Sequence, residues 1–167
     1  MELLVPFISS ILSIALGLFL FNYVNSKDSG TERMKEIARA IRDGSRSFLK
    51  TEYAYLGIFV AVMAVLLSIF FSDIKVGVTY VFGTLCSALA GLIGMEIAVR
   101  ANVKTANAGR KGGLISAFSI AYRGGAVMGL MVVGLALLGV SLIYWLTSDP
   151  KAVLGMSIGA STLTLFM

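Results

Sequence analysis

The chain has 167 residues, of which 57% are hydrophobic and only 14% charged, and a formal net charge of +5. That balance departs from an ordinary soluble domain, and the absence of histidine excludes imidazole catalysis and histidine metal sites. The single cysteine, Cys86, excludes an internal disulfide and lies in an apolar run, where a small buried packing role suits it.

Apolar residues gather in five runs: 3–24, 54–71, 76–99, 124–146 and 152–167. The first four hold 22, 18, 24 and 23 residues, enough to cross a hydrocarbon core of about 30 Å at roughly 1.5 Å per residue. The fifth holds 16 residues and reaches the end of the sequence without a cap or polar flank, so it reads as a helix cut off midway. The first run lacks the layout of a signal peptide: only Glu2 precedes it, it is too long, and no small-x-small site precedes Asn25. It is expected to be retained. The expected fold is all-α: a polytopic transmembrane helix bundle of four full spans plus a truncated fifth, with residues 1–167 a single portion of one membrane domain.

Charge sets the expected orientation. Residues 25–53 hold Lys27, Arg33, Lys35, Arg39, Arg42, Arg46 and Lys50; residues 100–123 hold Arg100, Lys104, Arg110, Lys111 and Arg123. These are 12 of the 14 basic residues, and the opposite loops keep only Lys75 and Lys151. The bias predicts both basic loops in the cytoplasm and the N-terminus outside. It also accounts for the basic charge without nucleic acid, whose binding needs a basic groove with stacking aromatics that neither loop offers.

The first basic loop is predicted to be helical over about residues 30–50. Ser29-Gly-Thr-Glu32 fits a capping box with Ser29 as N-cap. Met34, Ile37, Ala38, Ile41, Ser45 and Phe48 then form one stripe, with charged residues on the other faces. The helix is either a membrane-surface helix that snorkels its basic stems, or an extension of the second span that packs on cytosolic parts of a larger protein.

Small residues dominate the later spans. Ser87 and Gly91, Ala90 and Gly94, Gly125 and Gly129, Gly155 and Gly159, and Ser157 and Ser161 are each four apart, with Gly134 and Gly139 between. Apolar contact gains little in lipid, so helices associate by close approach, which such residues permit. Packing is the expected role, with an ion path as the lesser option. Glu96 is the one ionisable group well inside a run. An intramembrane acid raises a transport role, but Glu96 lies four residues before Arg100 at a helix end, so an interfacial pair is the stronger expectation. Arg123-Gly124-Gly125 opens the fourth span. It reads as a positive anchor followed by a close-packing site, with an anion held at a free helix N-terminus as the alternative. Ser161, Thr162 and Thr164 offer hydroxyls that bond back to carbonyls or reach a passing cation. The acids are scattered along the chain, with no phosphate loop, acidic metal cluster or dinucleotide motif. The chain alone is expected to be inactive.

Three blocks resemble one family. GTERMKEIARAIRDGSRSFLKTEY (30–53), GTLCSALAGLIGMEIAVRANVKTANAGRKG (83–112) and AYRGGAVMGLMVVGLALLGVSLIY (121–144) are similar, in order and spacing, to the first cytoplasmic segment and the third and fourth spans of membrane-bound inorganic pyrophosphatases that pump H+ or Na+. The resemblance covers most of the chain from Gly30 onward, and departs at Glu96, where many members carry Lys or another residue. It implies a homodimeric pump that couples cytosolic Mg2+-pyrophosphate hydrolysis to ion transport, with K+ as a further candidate cofactor. The family's catalytic signatures, an Arg-Val-Gly-Gly-Gly run and Asp-rich repeats, would lie beyond Met167. The resemblance thus implies an N-terminal portion in the outer layer of helices, with no catalytic, cofactor or metal residue of its own, and Ser161 as the one residue near the ion path. Glu96, Arg100, Arg123, Gly125 and Gly129 are assigned to topology and packing. Two other classes stay open: a small multi-span assembly or regulatory protein, and a fragment of a secondary transporter.

Overall fold

The computed structural model describes residues 3–163; Thr164 and the end of the fifth apolar run lie outside them. The described chain is α-helical: α1 (Leu4–Asn25), α2 (Glu32–Phe70), α3 (Ile74–Thr147) and α4 (Pro150–Thr162). Three of these, α1, α2 and α3, are long and apolar enough to cross a membrane. The apolar windows of α1 and α2 bury little inside the protein and that of α3 about a third, and residues such as Val5, Phe19, Ile58, Ile69 and Val78 face outward, as a lipid-facing surface requires.

The first correction concerns α2. The predicted loop helix and the second span form one helix of 39 residues, so the extension reading holds over the surface-helix reading. At about 1.5 Å per residue it is nearly twice as long as a bilayer core is thick. Its N-cap is Thr31, not Ser29. Asp28 Oδ1 accepts from Gly30 N–H at 2.9 Å, Gly30 takes φ +84°, and the chain turns so that Thr31 Oγ1 faces Met34 N–H. Glu32 becomes the first helical residue and pairs with Lys35 at 2.8 Å instead of reaching back. The stripe of Met34, Ile37, Ala38 and Ile41 faces Val99, Val103 and Ala106 of α3 across an apolar crevice of about 230 Å³.

The second correction concerns residues 100–123, expected as a loop. They are helical except at Gly113, where φ 71° and ψ −168° break the path. Gly109 faces Ala117, Gly124 faces Ala101, and Gly94 faces Met128, so α3 is an antiparallel hairpin of two arms that reverses at Gly113. The arms begin and end in the apolar runs 76–99 and 124–146 and meet well beyond them.

Every other helix packs on this hairpin. Val24 of α1 joins Ile97, Ala101, Ile120, Val127 and Met131 in one core, flanked by Ile14 and Phe21. A second core joins Ile143, Ala152 and Met156 at the far end. Close approach is set by glycine: a Cβ at Gly83 would meet Met156 O, at Gly159 Tyr80 O, at Gly155 Thr79 and Val76, and at Gly77 Ser68. Thr84 Oγ1 lies within hydrogen-bond distance of both Tyr80 O and Gly159 O, which stitches α4 to the first arm. Gly125 and Gly129 differ: nothing lies within 4 Å of a Cβ there, and both are exposed. The two turns at the end opposite Gly113 share one solution. Ser72 and Ser148 each take φ 50°, and Asp73 and Asp149 then cap the next helix through Lys75 N–H and Lys151 N–H.

Candidate functional site

Glu96, Arg100, Lys104, Asn107 and Lys111 recur at helical spacing and share one face of the first arm of α3. Against that face end α1 and the early turns of α2, and the three meet in a polar layer. Glu96 Oε1 accepts from Arg100 Nε at 2.6 Å. From α2, Arg42 Nε comes within 3.9 Å and Arg46 Nη2 within 3.8 Å of the same carboxylate. The i, i+4 pair expected from sequence is present, and Glu96 also serves two arginines from another helix.

Arg100 Nη1 donates to Asn25 Oδ1 at 2.8 Å. Lys104 is buried, and its Nζ donates to Val24 O at 3.0 Å and Asn25 O at 2.6 Å. Carbonyls in the last turn of a helix have no partner within it, and a cation there also meets the negative end of the helix dipole. Burial pushes the Lys104 ammonium below its ordinary value, and repulsion from Arg100 and Arg42 adds to the shift.

The α1–α2 connection is tied to the same face. Asp28 Oδ2 accepts from Lys111 Nζ at 2.7 Å and from Asn107 Nδ2 at 3.1 Å. The Lys111 hydrogen bond, then those from Gly30 N–H and Asn107, hold the Asp28 carboxyl well below the usual carboxylate range.

Arg123 lies over the Tyr23 ring at 4.1 Å, and Lys27 approaches the same ring at 4.1 Å. This is a cation–π contact between the second arm and α1. The anion alternative at Arg123-Gly124-Gly125 is corrected: these residues lie inside a continuous helical arm, so no free helix N-terminus exists there. Gly124 is buried against Ala101. Ser161 Oγ donates to Ser157 O at 3.0 Å and lines a largely apolar cavity of about 290 Å³ shared with Ser87, Gly91, Met128 and Leu135. Thr162 bonds back to Ile158 O at 2.9 Å and sits 3.1 Å from the Tyr80 hydroxyl. Glu52 is buried with neither carboxylate oxygen hydrogen-bonded among the described residues.

The sequence reading missed Tyr23, Asn25, Asp28, Lys104 and Asn107. One signal was available: the 96–100–104–107–111 spacing paints a polar stripe, which a disordered loop would not need. The partners of that stripe carried no signal. The arrangement fastens helices; among the described residues no group of three or more Cys, Asp or Glu is placed to hold a metal ion.

Fold and site together define a polytopic α-helical membrane protein whose helices are fastened at one end by an ionic layer. The family model described as inorganic H+ pyrophosphatase matches residues 11–167, and the chain belongs to that family. It is 44% identical over 161 residues to a K(+)-insensitive pyrophosphate-energized proton pump of Methanosarcina mazei, covering 95% of this chain and 24% of that protein. It is 46% identical over 134 residues to a K(+)-stimulated pyrophosphate-energized sodium pump of Thermotoga maritima, covering 78% of this chain and 18% of that protein. A K(+)-insensitive pyrophosphate-energized proton pump 2 of Moorella thermoacetica is 37% identical over 163 residues, covering 93% of this chain and 24% of that protein. The chain thus spans 18–24% of the length of these curated relatives.

Proposed function

We propose that this chain is the N-terminal portion of a pyrophosphate-energised ion pump, in which hydrolysis of pyrophosphate at a cytosolic Mg2+ site drives H+ or Na+ out across the membrane. The family match over residues 11–167 carries this reading. The relatives' descriptions as proton or sodium pumps, K+-insensitive or K+-stimulated, supply the reaction and leave both ions and both K+ behaviours open. The described residues do not fit Mg2+: they assemble no donor cluster, whereas Mg2+ on a phosphate substrate is held by carboxylates. No hydrolytic step is therefore routed through this chain, and its role is that of outer scaffold around a centre built elsewhere in a homodimer. In this reading the two arms of α3 are separate crossings, so α1, α2 and α3 make four, α4 begins a fifth, and the end that carries Gly113 is cytoplasmic. The charge bias supports that orientation.

The test uses the gene product with all the sequence its reading frame encodes, in inverted membrane vesicles supplied with Mg2+ and pyrophosphate. Phosphate release and uptake of either H+ or Na+, both dependent on pyrophosphate, are expected. Residues 1–167 alone are expected to release no phosphate. Glu96→Gln is expected to keep transport, and Ser161→Ala to lower ion uptake more than hydrolysis. Absence of pyrophosphate-dependent phosphate release from the full gene product would sink the reading and favour an assembly or transporter role.

A further inference from the structure

A cavity of about 300 Å³ opens between the α1–α2 connection, the first turns of α2 and the first arm of α3. Five of its nine lining residues are cationic, namely Lys35, Arg39, Arg42, Arg100 and Lys104, and none is acidic. The carboxylates that serve these cations sit outside the lining and are engaged: Glu32 with Lys35 at 2.8 Å, and Glu96 with Arg100 at 2.6 Å. Lys104 has neutral carbonyls as its nearest partners. Arg39 makes no ion pair or hydrogen bond among the described residues and acts on Glu32 only at longer range. Arg42 Nε is buried without a hydrogen bond, its only carboxylate among the described residues being the shared Glu96 at 3.9 Å.

The cavity therefore holds excess positive charge together with one buried unmet donor, Arg42 Nε. A buried donor left unmade is costly, and cations crowded in partial burial repel one another. Both costs are relieved by one ligand type, a compact anion with several acceptor oxygens. Guanidinium forks match phosphate oxygens two at a time, in shorter and stronger bonds than neutral pairs make. The depth is also suitable: the lining residues Asn25 and Arg100 stand where the apolar runs 3–24 and 76–99 give way to polar sequence, the level at which headgroups lie.

We propose that this cavity binds a phosphate group, carried by an anionic phospholipid headgroup or present as free phosphate. The site is built from this chain's own cationic residues and stands whether or not the pump reading does.

The gene product, purified with all the sequence its reading frame encodes, is titrated with phosphatidylglycerol and phosphatidylcholine by native mass spectrometry, and with inorganic phosphate by calorimetry. The variants are Arg39→Gln, Arg42→Gln and both together. Lys50→Gln, exposed on the same helix and outside the lining, is the control. Losing two charge-assisted contacts is expected to weaken binding by about tenfold or more, with Lys50→Gln changing it by less than about twofold. Weakened phosphatidylglycerol binding with no phosphate binding assigns the site to a lipid; weakened phosphate binding assigns it to a free anion. Arg39→Gln alone, at an exposed unpaired position, carries the test if the Arg42 variant misfolds. Wild-type protein that binds neither probe, variants that bind both as well as wild type, or an equal loss from Lys50→Gln each overturn the proposal.

Discussion

Lys104 fastens the end of α1 through peptide carbonyls, not through a carboxylate. The benefit is geometric. Val24 O and Asn25 O end their helix beside a core, where the adjoining Val24 side chain is fully buried; without Lys104, Val24 O would keep only the Lys27 N–H at 3.2 Å and Asn25 O would lose its donor. Lys104→Met preserves the apolar stem and removes the donors, so it is expected to destabilise the protein by about 2 kcal/mol, the cost of leaving one partly buried acceptor unmet and losing a second charge-assisted bond. Lys111→Met removes an exposed, solvent-screened pair with Asp28 and is expected to cost clearly less than Lys104→Met. Thermal unfolding of the two variants in detergent checks the ranking; equal costs would refute it. Sequence pattern made Glu96–Arg100 legible because both partners lie on one helical face. Lys104 and Val24 are 80 positions apart, and no local pattern links a lysine to a carbonyl at that range. Lys104 therefore read as a solvated anchor, although it is among the buried residues of the layer.

The helices themselves were legible from their apolar runs, since few folds besides a spanning helix need such runs. Their continuity was not. Basic composition at residues 100–123 says that the segment leaves lipid, which leaves its backbone conformation open. Only Gly113 breaks the hairpin, because its φ of 71° with an extended ψ is a region that other residues rarely enter. The neighbouring Gly109 and Gly112 stay helical. Small-residue spacing likewise marked which helices pack, but not which glycines do so within this chain. Gly159 admits no Cβ beside Tyr80 O, whereas Gly125 and Gly129 meet nothing. Gly159→Val is expected to push α4 from the first arm at a cost of about 1–3 kcal/mol or more. Gly125→Ala and Gly129→Ala are expected to be neutral, or stabilising by up to about 1 kcal/mol through helix propensity. Unfolding midpoints of residues 1–167 in detergent test this contrast. The same glycine variants in the full gene product then report on neighbours outside this chain: a loss seen only there assigns the 125–129 face to a helix contact.

At the scale of the molecule, length and exposure point the same way. An α2 of 39 residues extends roughly 58 Å against a hydrocarbon core of about 30 Å, so nearly half of it stands outside lipid. The hairpin tip stands out with it, and there Leu114, Ile115 and Phe118 are 84%, 86% and 65% exposed. Apolar side chains beyond the bilayer need a protein cover, which agrees with a chain that spans about a quarter of its relatives' length. The proposed sidedness of this projection rests on charge: the basic residues cluster at the Gly113 end while Lys75 and Lys151 mark the other. With Cys86→Ser removing the one native thiol, single cysteines replacing Ser47 or Leu114 are expected to resist a membrane-impermeant maleimide in intact cells and to react in inverted vesicles. Cysteines replacing Lys75 or Lys151 are expected to behave in the opposite way. Labelling of Leu114→Cys from outside intact cells would reverse the orientation, and with it the assignment of the ionic layer and its cationic cavity to the cytoplasmic headgroup region.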